Sequence, residues 1–336
     1  MTAVLIETGT EAGWLAARRQ GVTASEIAVV MGLSPYDSPY ALYHRKRGEL
    51  PDAGDNDAME RGRVLEPYIA GKFAQLHPEF IVDGDGRQLY AHPDRPWQLA
   101  TPDRLAWERD NTAFWPRGDY QNLPDAVLET KTDAGGDDGW GDEGTGQIPV
   151  HYRCQVLWQM DVMGVTTAYV ACLMMRSWKL RVYELELDSD AEDDLDLMKN
   201  EADAFLACIA NDIEPAVDWR PATTAALKHL NPGVEQRDVT IGRQLAISYR
   251  AAVRRAAEAD QRKELMTNRM LAAIGTGRRA IEACTEQVVA TRSVYPNRRI
   301  DTRALRASYP DAAKACTVTK DVTKLLPAKT KKDTAP

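Results

Sequence analysis

Leu128-Glu129-Thr130-Lys131 is the stretch of sequence that decides the fold and its chemistry. The four residues end a short apolar run, which is typical of a buried β-strand. Because successive side chains of a strand point to opposite faces, we expect Glu129 and Lys131 to share one face. Asp103, which follows a turn-forming proline, supplies a second carboxylate upstream. Two carboxylates beside an ammonium group can hold a hard divalent cation next to a charged oxygen, and hydrolysis of a phosphodiester requires this chemistry.

A third acid, Glu66, lies within the apolar stripe of a helix that we predict over Asp57–Leu76. Apolar residues recur around it at the i, i+3, i+4 and i+7 spacing of a helix face that packs on a core. A carboxylate in such a stripe is costly unless it is paired or binds a cation. The sequence leaves two interpretations open, a cation site or a salt bridge with Arg61, Arg63 or a core arginine.

Polar side chains also interrupt the apolar face of a helix that we predict from Pro149 to about Met163. Two amides and a phenol share that face, and they belong to Tyr152, Gln155 and Gln159. Either these groups make hydrogen bonds within the core, or they line a cleft and bind water or phosphate. The pattern alone does not separate these alternatives.

Arg18 and Ser25 flank the predicted start of an earlier helix. Thr23 and Glu26 have the spacing of a capping box, which places the helix start at Thr23. Backbone N–H groups at a helix start bind anions, and a nearby arginine strengthens such a site. A terminal phosphate would fit there. The alternative is simple capping by Thr23, with Arg18 on the surface.

The order of the predicted elements is helix, helix, strands, helix, strands, helix. This order favours a mixed central sheet flanked by helices, in the α/β or α+β class. We predict a first domain over residues 1–215, a linker over 216–236, and a basic, mainly helical region over 237–336 that ends in a Lys-rich tail. A long hairpin loop is predicted over 108–124, and the acidic, glycine-rich segment 133–146 is predicted to be a mobile lid or substrate gate.

Composition excludes several classes of protein. The five cysteines include no Cys-x-x-Cys pair, which argues against a zinc site, an iron–sulfur cluster or a disulfide framework. No run of about 18 apolar residues exists, and the N-terminus lacks a basic segment followed by an apolar one. We therefore expect a cytoplasmic protein with no membrane partner.

The net charge of −8 is distributed unevenly along the chain. Residues 237–336 carry a net charge of +11, whereas residues 1–236 carry −19. A basic region on an acidic body indicates contact with a polyanion. The alternative is a solvated helical arm with a disordered lysine tail, and charge alone does not distinguish the two.

Taken together, these segments resemble the YqaJ-type viral recombinase nucleases, the family of bacteriophage lambda exonuclease within the PD-(D/E)xK nuclease superfamily. The resemblance covers roughly residues 14–190 and implies a restriction-endonuclease-like sheet, with a helical extension at the C-terminal end of the chain. The matching segments, in chain order, are Gly21–Ile27, Gly32–Pro35, Gly62–Pro67, Thr101–Asp103, Leu128–Lys131 and Tyr152–Val156.

The resemblance implies a magnesium-dependent exonuclease that degrades one strand of linear double-stranded DNA from its 5′ end. Two Mg²⁺ ions are expected, with Mn²⁺ as a substitute. Asp103, Glu129 and the main-chain oxygen of Thr130 would be the metal ligands. Glu66 would complete the second metal position, directly or through water, and Lys131 would orient or activate the attacking water.

The resemblance also implies contacts with DNA and with other proteins. Gln155 would help to place the attacking water, Tyr152 would lie along the DNA, and Arg18 and Ser25 would hold the 5′-phosphate. A homo-oligomer is expected, a ring trimer as in family members, with a single-strand annealing protein as partner in phage recombination. The alternatives are an endonuclease or nickase on the same fold, and a DNA-binding scaffold without activity.

Overall fold

The computed structural model describes residues 3–52, 54, 56–109, 124–135, 139–319 and 324–328. Most of the loop predicted over 108–124 and most of the Lys-rich tail lie outside these ranges. The chain divides into two compact units, Met1–Pro232 and Gly233–Pro336.

The first unit contains both strands and helices. Its strands are β1 (Val4–Ile6), β2 (Val22–Thr23), β3 (Phe80–Asp83), β4 (Leu89–Ala91), β5 (Gln98–Ala100), β6 (Arg104–Glu108), β7 (Ala126–Asp133), β8 (Thr167–Met174) and β9 (Lys179–Glu186). Its helices are α1 (Glu11–Arg19), α2 (Ala24–Val30), α3 (Pro39–Lys46), α4 (Asp57–Leu76), α5 (Val150–Met163), α6 (Ser189–Ala210) and α7 (Pro221–Leu230).

The larger sheet has the strand order β3-β6-β7-β8-β9. Strands β7 and β8 are parallel, while the other neighbouring pairs are antiparallel. Helix α5 connects the parallel pair, since a parallel connection must cross from one end of the sheet to the other. A mixed central sheet flanked by helices confirms the predicted fold class. A smaller sheet has the order β1-β4-β5-β2.

Strand β7 carries one set of side chains into each of two cores. Val127 packs in the core formed with helices α2, α5 and α6, whereas Leu128 packs with Ile69 and Phe73 of α4 on the opposite face. Burial of a side chain such as Leu128 stabilises the fold by about 1.5–3 kcal/mol. The alternation places Glu129 and Lys131 on the α5 side, so the prediction that they share a face is confirmed.

Local signals fix the ends of the helices that surround the site. Helix α4 has the predicted bounds, and the Asn56 side chain caps its first turn. The capping box of Thr23 and Glu26 is present at the start of α2. Gly164 ends α5 in the left-handed conformation, with φ of 70°, which glycine adopts without steric cost.

The segment predicted as a linker, 216–236, contains helix α7. Thr223 and Ala226 of this helix are buried, and Ala226 packs on Tyr40 and Ala41 of α3. The prolines and polar residues of this stretch favoured a linker. Such residues also occur at helix starts, and Pro221 lies at the start of α7. The first compact unit accordingly continues to Pro232 rather than ending at residue 215.

The acidic segment predicted as a mobile lid is anchored over residues 139–146. Trp140 is buried and its ring lies 5.0 Å from that of Tyr183 on β9. Lys179 Nζ and Glu143 Oε2 form an ion pair at 2.6 Å. Burial of Trp140 fixes this part of the segment. The prediction of mobility relied on the glycines and acids around Trp140 and did not take its burial into account.

The second unit contains helix α8 (Arg243–Ile274), the antiparallel hairpin of β10 (Arg279–Ile281) and β11 (Val288–Thr291), and the short helices α9 (Thr302–Ser308) and α10 (Pro310–Ala315). None of these three helices buries a residue. Among the described residues of the whole chain, no helix is both long enough and apolar enough to cross a membrane.

Candidate active site

Five of the residues predicted from the sequence line one cleft between α4 and the second half of β7. The cleft has a volume of about 250 Å³ and is lined by Glu66, Asp103, Glu129, Thr130 and Lys131, together with Thr132 and with Met59, Gly62, Arg63 and Ile69 of α4. A helix, a turn and a strand therefore bring together residues that are up to 65 positions apart in the sequence.

Glu129 lies at the centre of a hydrogen-bond network. Its side chain is almost fully buried, and Oε1 accepts from Lys131 Nζ and Gln155 Nε2, both at 2.5 Å. Oε2 accepts from Gln159 Nε2 at 2.9 Å. Burial and the nearby charge of Asp103 raise the pKa of Glu129, although Lys131 opposes this shift. Negative charge is thus crowded at Glu129, and the three hydrogen bonds fix the orientation of its carboxylate.

Lys131 places a positive charge beside Glu129 in the cleft. Burial alone would lower the pKa of Lys131, but the carboxylates of Glu129 and Asp103 outweigh burial and raise it, so the amine is an ammonium ion. Its Nζ also lies 3.2 Å from Gln155 Oε1 and 4.8 Å from the centre of the Tyr152 ring. The face of an aromatic ring attracts a cation, which fixes the ammonium group further.

Asp103 ties the turn before β6 to strand β7. Its Oδ2 accepts from both the main-chain N–H and the hydroxyl of Thr130, at 2.8 and 2.7 Å. The negative charge of Asp103 raises the pKa of Glu129 and that of Glu66. The carboxylate is therefore near both other acids of the cleft, as the sequence predicted.

Glu66 is paired with an arginine that follows Asp103. Arg104 donates one N–H to Glu66 Oε1 and one to the main-chain oxygen of Asp103, with both distances 2.5 Å. Burial and Asp103 raise the pKa of Glu66, and Arg104 opposes them. The interpretation of Glu66 as the partner of a core arginine is confirmed, and its role as a metal ligand stays a prediction.

The donors of the cleft suit a hard divalent cation. Carboxylate oxygens are the ligands that Mg²⁺ prefers, and the raised pKa of Glu129 reflects a crowding of negative charge that a cation would relieve. Across the described ranges, no three Asp, Glu, His or Cys side chains are arranged as a metal site. By their chemistry Asp103 and Glu129 would hold such a cation, whereas Glu66 is engaged by Arg104.

The predicted anion-binding residues lie together at the start of α2. One guanidinium nitrogen of Arg18 lies 3.2 Å from Ser25 Oγ and 3.4 Å from Thr23 Oγ1. The guanidinium carbon is 4.4 Å from the centre of the Trp14 ring. Burial lowers the pKa of Arg18, although it stays a cation because an arginine is not deprotonated in proteins.

Lys46 adds a second cation beside this helix start. Its Nζ donates to the main-chain oxygens of Arg18 and Gly21, at 2.7 and 2.6 Å, and pairs with Glu26 Oε2 at 2.7 Å. Sequence reasoning missed Lys46, because it belongs to α3 and no local pattern connects it to Arg18.

Arg104 and Gln159 also escaped assignment from the sequence. Gln159 was visible as a polar residue on an apolar face, and the structure shows that it is fully buried against Glu129. Arg104 directly follows Asp103, but its contact with Glu66 depends on how β6 and α4 pack.

Excess Mg²⁺ is expected to stabilise the protein by about 2.7 kcal/mol at 100 times the dissociation constant, because only the folded state forms the site. Asp103→Asn should abolish this gain, whereas Asp85→Asn, on an exposed turn near Glu66, should retain it. Urea unfolding with Mg²⁺ and with EDTA measures the difference. An equal gain in the Asp103→Asn variant would contradict a cation site at Asp103.

Comparison with known proteins finds a family model that matches part of the chain and a similar protein. The model of the YqaJ-like viral recombinase domain matches residues 13–168. "Uncharacterized protein YqaJ" of Bacillus subtilis (strain 168) is 25% identical over 317 residues, which cover 89% of this chain and 88% of that protein.

The solved structures that are similar to the chain include two of one exonuclease. The alkaline exonuclease LHK-Exo from Laribacter hongkongensis is 22% identical, with a TM-score of 0.42, over 61% of this chain and 95% of that one. The same exonuclease in complex with dAMP gives 23% identity, the same TM-score and the same coverage. The sequence motifs and the family model overlap, and residues 13–168 are therefore similar to the YqaJ-like viral recombinase domain.

Proposed function

We propose that this protein is a metal-dependent deoxyribonuclease, a 5′-to-3′ exonuclease on linear double-stranded DNA that serves phage-type recombination. The observation that supports this most is the buried Glu129–Lys131 pair in one cleft with Asp103. A description of the family as a viral recombinase agrees with a DNA substrate.

The residues of the cleft divide the work of phosphodiester hydrolysis. Asp103, Glu129 and the main-chain oxygen of Thr130 would hold Mg²⁺ or Mn²⁺. The metal would lower the pKa of a water molecule and neutralise charge on the phosphate. Lys131 supplies a fixed positive charge where negative charge develops, and electrostatic stabilisation of this kind is the largest contribution in many enzymes.

Gln155 orients the reacting groups. Its amide nitrogen donates to Glu129 Oε1, and its amide oxygen accepts from Lys131 Nζ. These two hydrogen bonds fix the amide plane between the Glu129 carboxylate and the Lys131 ammonium group. An amide held in this way can place a water molecule for attack. Tyr152, whose ring supports Lys131, would lie along the DNA.

A cleavage assay tests the proposed function directly. Linear and covalently closed circular duplexes, labelled at either end where ends exist, are incubated with the protein in Mg²⁺ and in EDTA. Loss of label from 5′ ends of the linear duplex, in Mg²⁺ alone, is the expected result. Cleavage of the circle would indicate an endonuclease or nickase instead, and binding without cleavage would indicate a DNA-binding scaffold.

Arg18→Ala is expected to remove the preference for 5′-phosphorylated over 5′-hydroxyl ends. A hydrogen bond to a charged group contributes about 1.5–3 kcal/mol, which corresponds to roughly tenfold or more in rate. Arg19→Ala is the matched control, because Arg19 is adjacent but pairs with Asp52 at 2.6 Å. Initial rates on the two substrates measure the preference. An equal loss on both substrates would refute a phosphate pocket at Arg18.

The basic second unit is expected to contact phosphates of the DNA. Helix α8 exposes arginines that can be neutralised together, as in the triple variant Arg250→Gln, Arg255→Gln and Arg262→Gln. Each lost phosphate contact should reduce the slope of log K against log salt by about 0.9. Binding isotherms at several salt concentrations, in EDTA, measure this slope.

The matched control for this triple variant removes acidic charge from the same helix, as in Glu258→Gln with Glu264→Gln. This control should leave the number of phosphate contacts unchanged. A triple variant with the slope of the unmodified protein would contradict contact of these three arginines with phosphates. A ring trimer, a single-strand annealing partner and a cytoplasmic location stay predictions.

A further inference from the structure

Arg104 forms a bridge that the proposed chemistry does not use. Its guanidinium joins a carboxylate oxygen of Glu66 to the main-chain oxygen of Asp103, at 2.5 Å each. The side chain of Arg104 is 11% exposed and that of Glu66 is 19% exposed. This pair therefore differs from a surface ion pair, whose partners are solvated and contribute little.

The turn between β3 and β4 closes over this bridge. A Cβ atom at Gly86 would lie 3.2 Å from Glu66 Oε1, and one at Gly84 would lie 3.5 Å from Cα of Arg104. Both glycines have positive φ, of 68° and 118°. The backbone of the turn thus approaches the Glu66–Arg104 pair closely. Glycine at positions 84 and 86 allows this approach, which limits the access of solvent to Glu66.

The two sides of the cleft differ in how their negative charge is compensated. Glu66 is paired with a guanidinium group, which is always charged. Asp103 Oδ2 accepts from the main-chain N–H and the hydroxyl of Thr130, which are neutral donors. In the part of the chain that the structure describes, the three acids do not form one metal cluster. The cleft thus pairs Glu66 with a guanidinium group on one side, whereas on the other side the Lys131 ammonium faces both Asp103 and Glu129.

We propose that Arg104 takes the place of a second metal ion, so that each chain binds one divalent cation, at Asp103 and Glu129, while the guanidinium holds Glu66. This inference rests on the proposed function and revises one part of it, the expectation of two ions. Arg104 is then a positioning residue, because it acts through Glu66 and the Asp103 backbone. Removal of its charge should free Glu66 to bind a further ion.

Binding of Mn²⁺ without DNA tests this inference, with free Mn²⁺ measured by electron paramagnetic resonance. The wild-type chain should bind one ion, and Arg104→Gln should bind two. Arg104→Lys retains the cation and should bind one. Arg87→Gln is the matched control, because it removes an exposed positive charge from the turn that covers Glu66, and it should also bind one.

Glu66→Gln alone keeps the test decisive if Arg104→Gln fails to fold, because it leaves Arg104 in place. Glu66→Gln in the otherwise unmodified chain should leave the stoichiometry at one ion. In the Arg104→Gln background, it should remove the ion that was gained. Two ions in the wild type, with one lost in Glu66→Gln, would overturn the inference.

The outcome also separates this inference from the proposed function. Two ions in a protein that cleaves DNA in Mg²⁺ would refute the role of Arg104 and leave the nuclease intact. A single ion whose binding survives Asp103→Asn would refute the assigned metal position. A chain that binds no Mn²⁺ and cleaves no DNA would overturn both.

Discussion

Asp103→Asn is expected to abolish cleavage of linear duplex DNA while DNA binding stays measurable. Asparagine retains an oxygen that can accept from the N–H and hydroxyl of Thr130, so the turn before β6 keeps its position. It loses the negative charge that would hold the metal beside Glu129. Loss of metal-assisted chemistry should cost several kcal/mol of barrier, on the order of a thousandfold in rate or more.

Two measurements on the same samples separate catalysis from folding and binding in this variant. Single-turnover cleavage in Mg²⁺ reports the chemical step, and binding of a labelled duplex in EDTA reports the interface. Asp85→Asn, which removes an exposed carboxylate near Glu66, should cleave at close to the wild-type rate. An Asp103→Asn variant with the wild-type cleavage rate would remove Asp103 from the mechanism.

Lys131→Met is expected to have the second large effect on cleavage. Methionine keeps much of the apolar stem but removes the ammonium group that pairs with Glu129. By analogy with the loss of one oxyanion-hole donor, the barrier should rise by about 2.7–4 kcal/mol, which is about 10²–10³ in kcat. Because Glu129 keeps its hydrogen bonds from Gln155 and Gln159, the carboxylate should stay in place.

The control for Lys131 is a lysine whose ion pair is exposed. Lys179 pairs with Glu143 at 2.6 Å and is 60% exposed, so Lys179→Met should leave kcat unchanged. A Lys131→Met enzyme whose kcat equals that of the wild type would contradict the role of the ammonium group. A raised KM with unchanged kcat would move Lys131 from the chemical step to substrate binding.

Elements with strong local signals could be predicted from the sequence. The capping box at Thr23, the bounds of α4 and the glycine that ends α5 follow from short-range rules of capping and periodicity. The shared face of Glu129 and Lys131 follows from the two-residue period of a strand. These features depend only on neighbours in the chain, so a single sequence contains them.

Features that depend on packing between distant segments could not be predicted. Glu66 and Arg104 are 38 positions apart, and their pairing requires α4 to lie against the start of β6. Lys46 reaches the α2 start from another helix. Helix α7 is short, and its few apolar positions gave no distinct periodic signal. Its stability depends on packing against α3, which the sequence of α7 does not contain.

The central claim is that Asp103 and Glu129 hold a divalent cation next to Lys131. Anomalous diffraction from crystals soaked in Mn²⁺ tests this claim most directly, because the signal locates the ion without reference to activity. The account predicts a peak bounded by the carboxylates of Asp103 and Glu129 and the main-chain oxygen of Thr130. Crystals of an active protein that show Mn²⁺ elsewhere, with none at these oxygens, would contradict it.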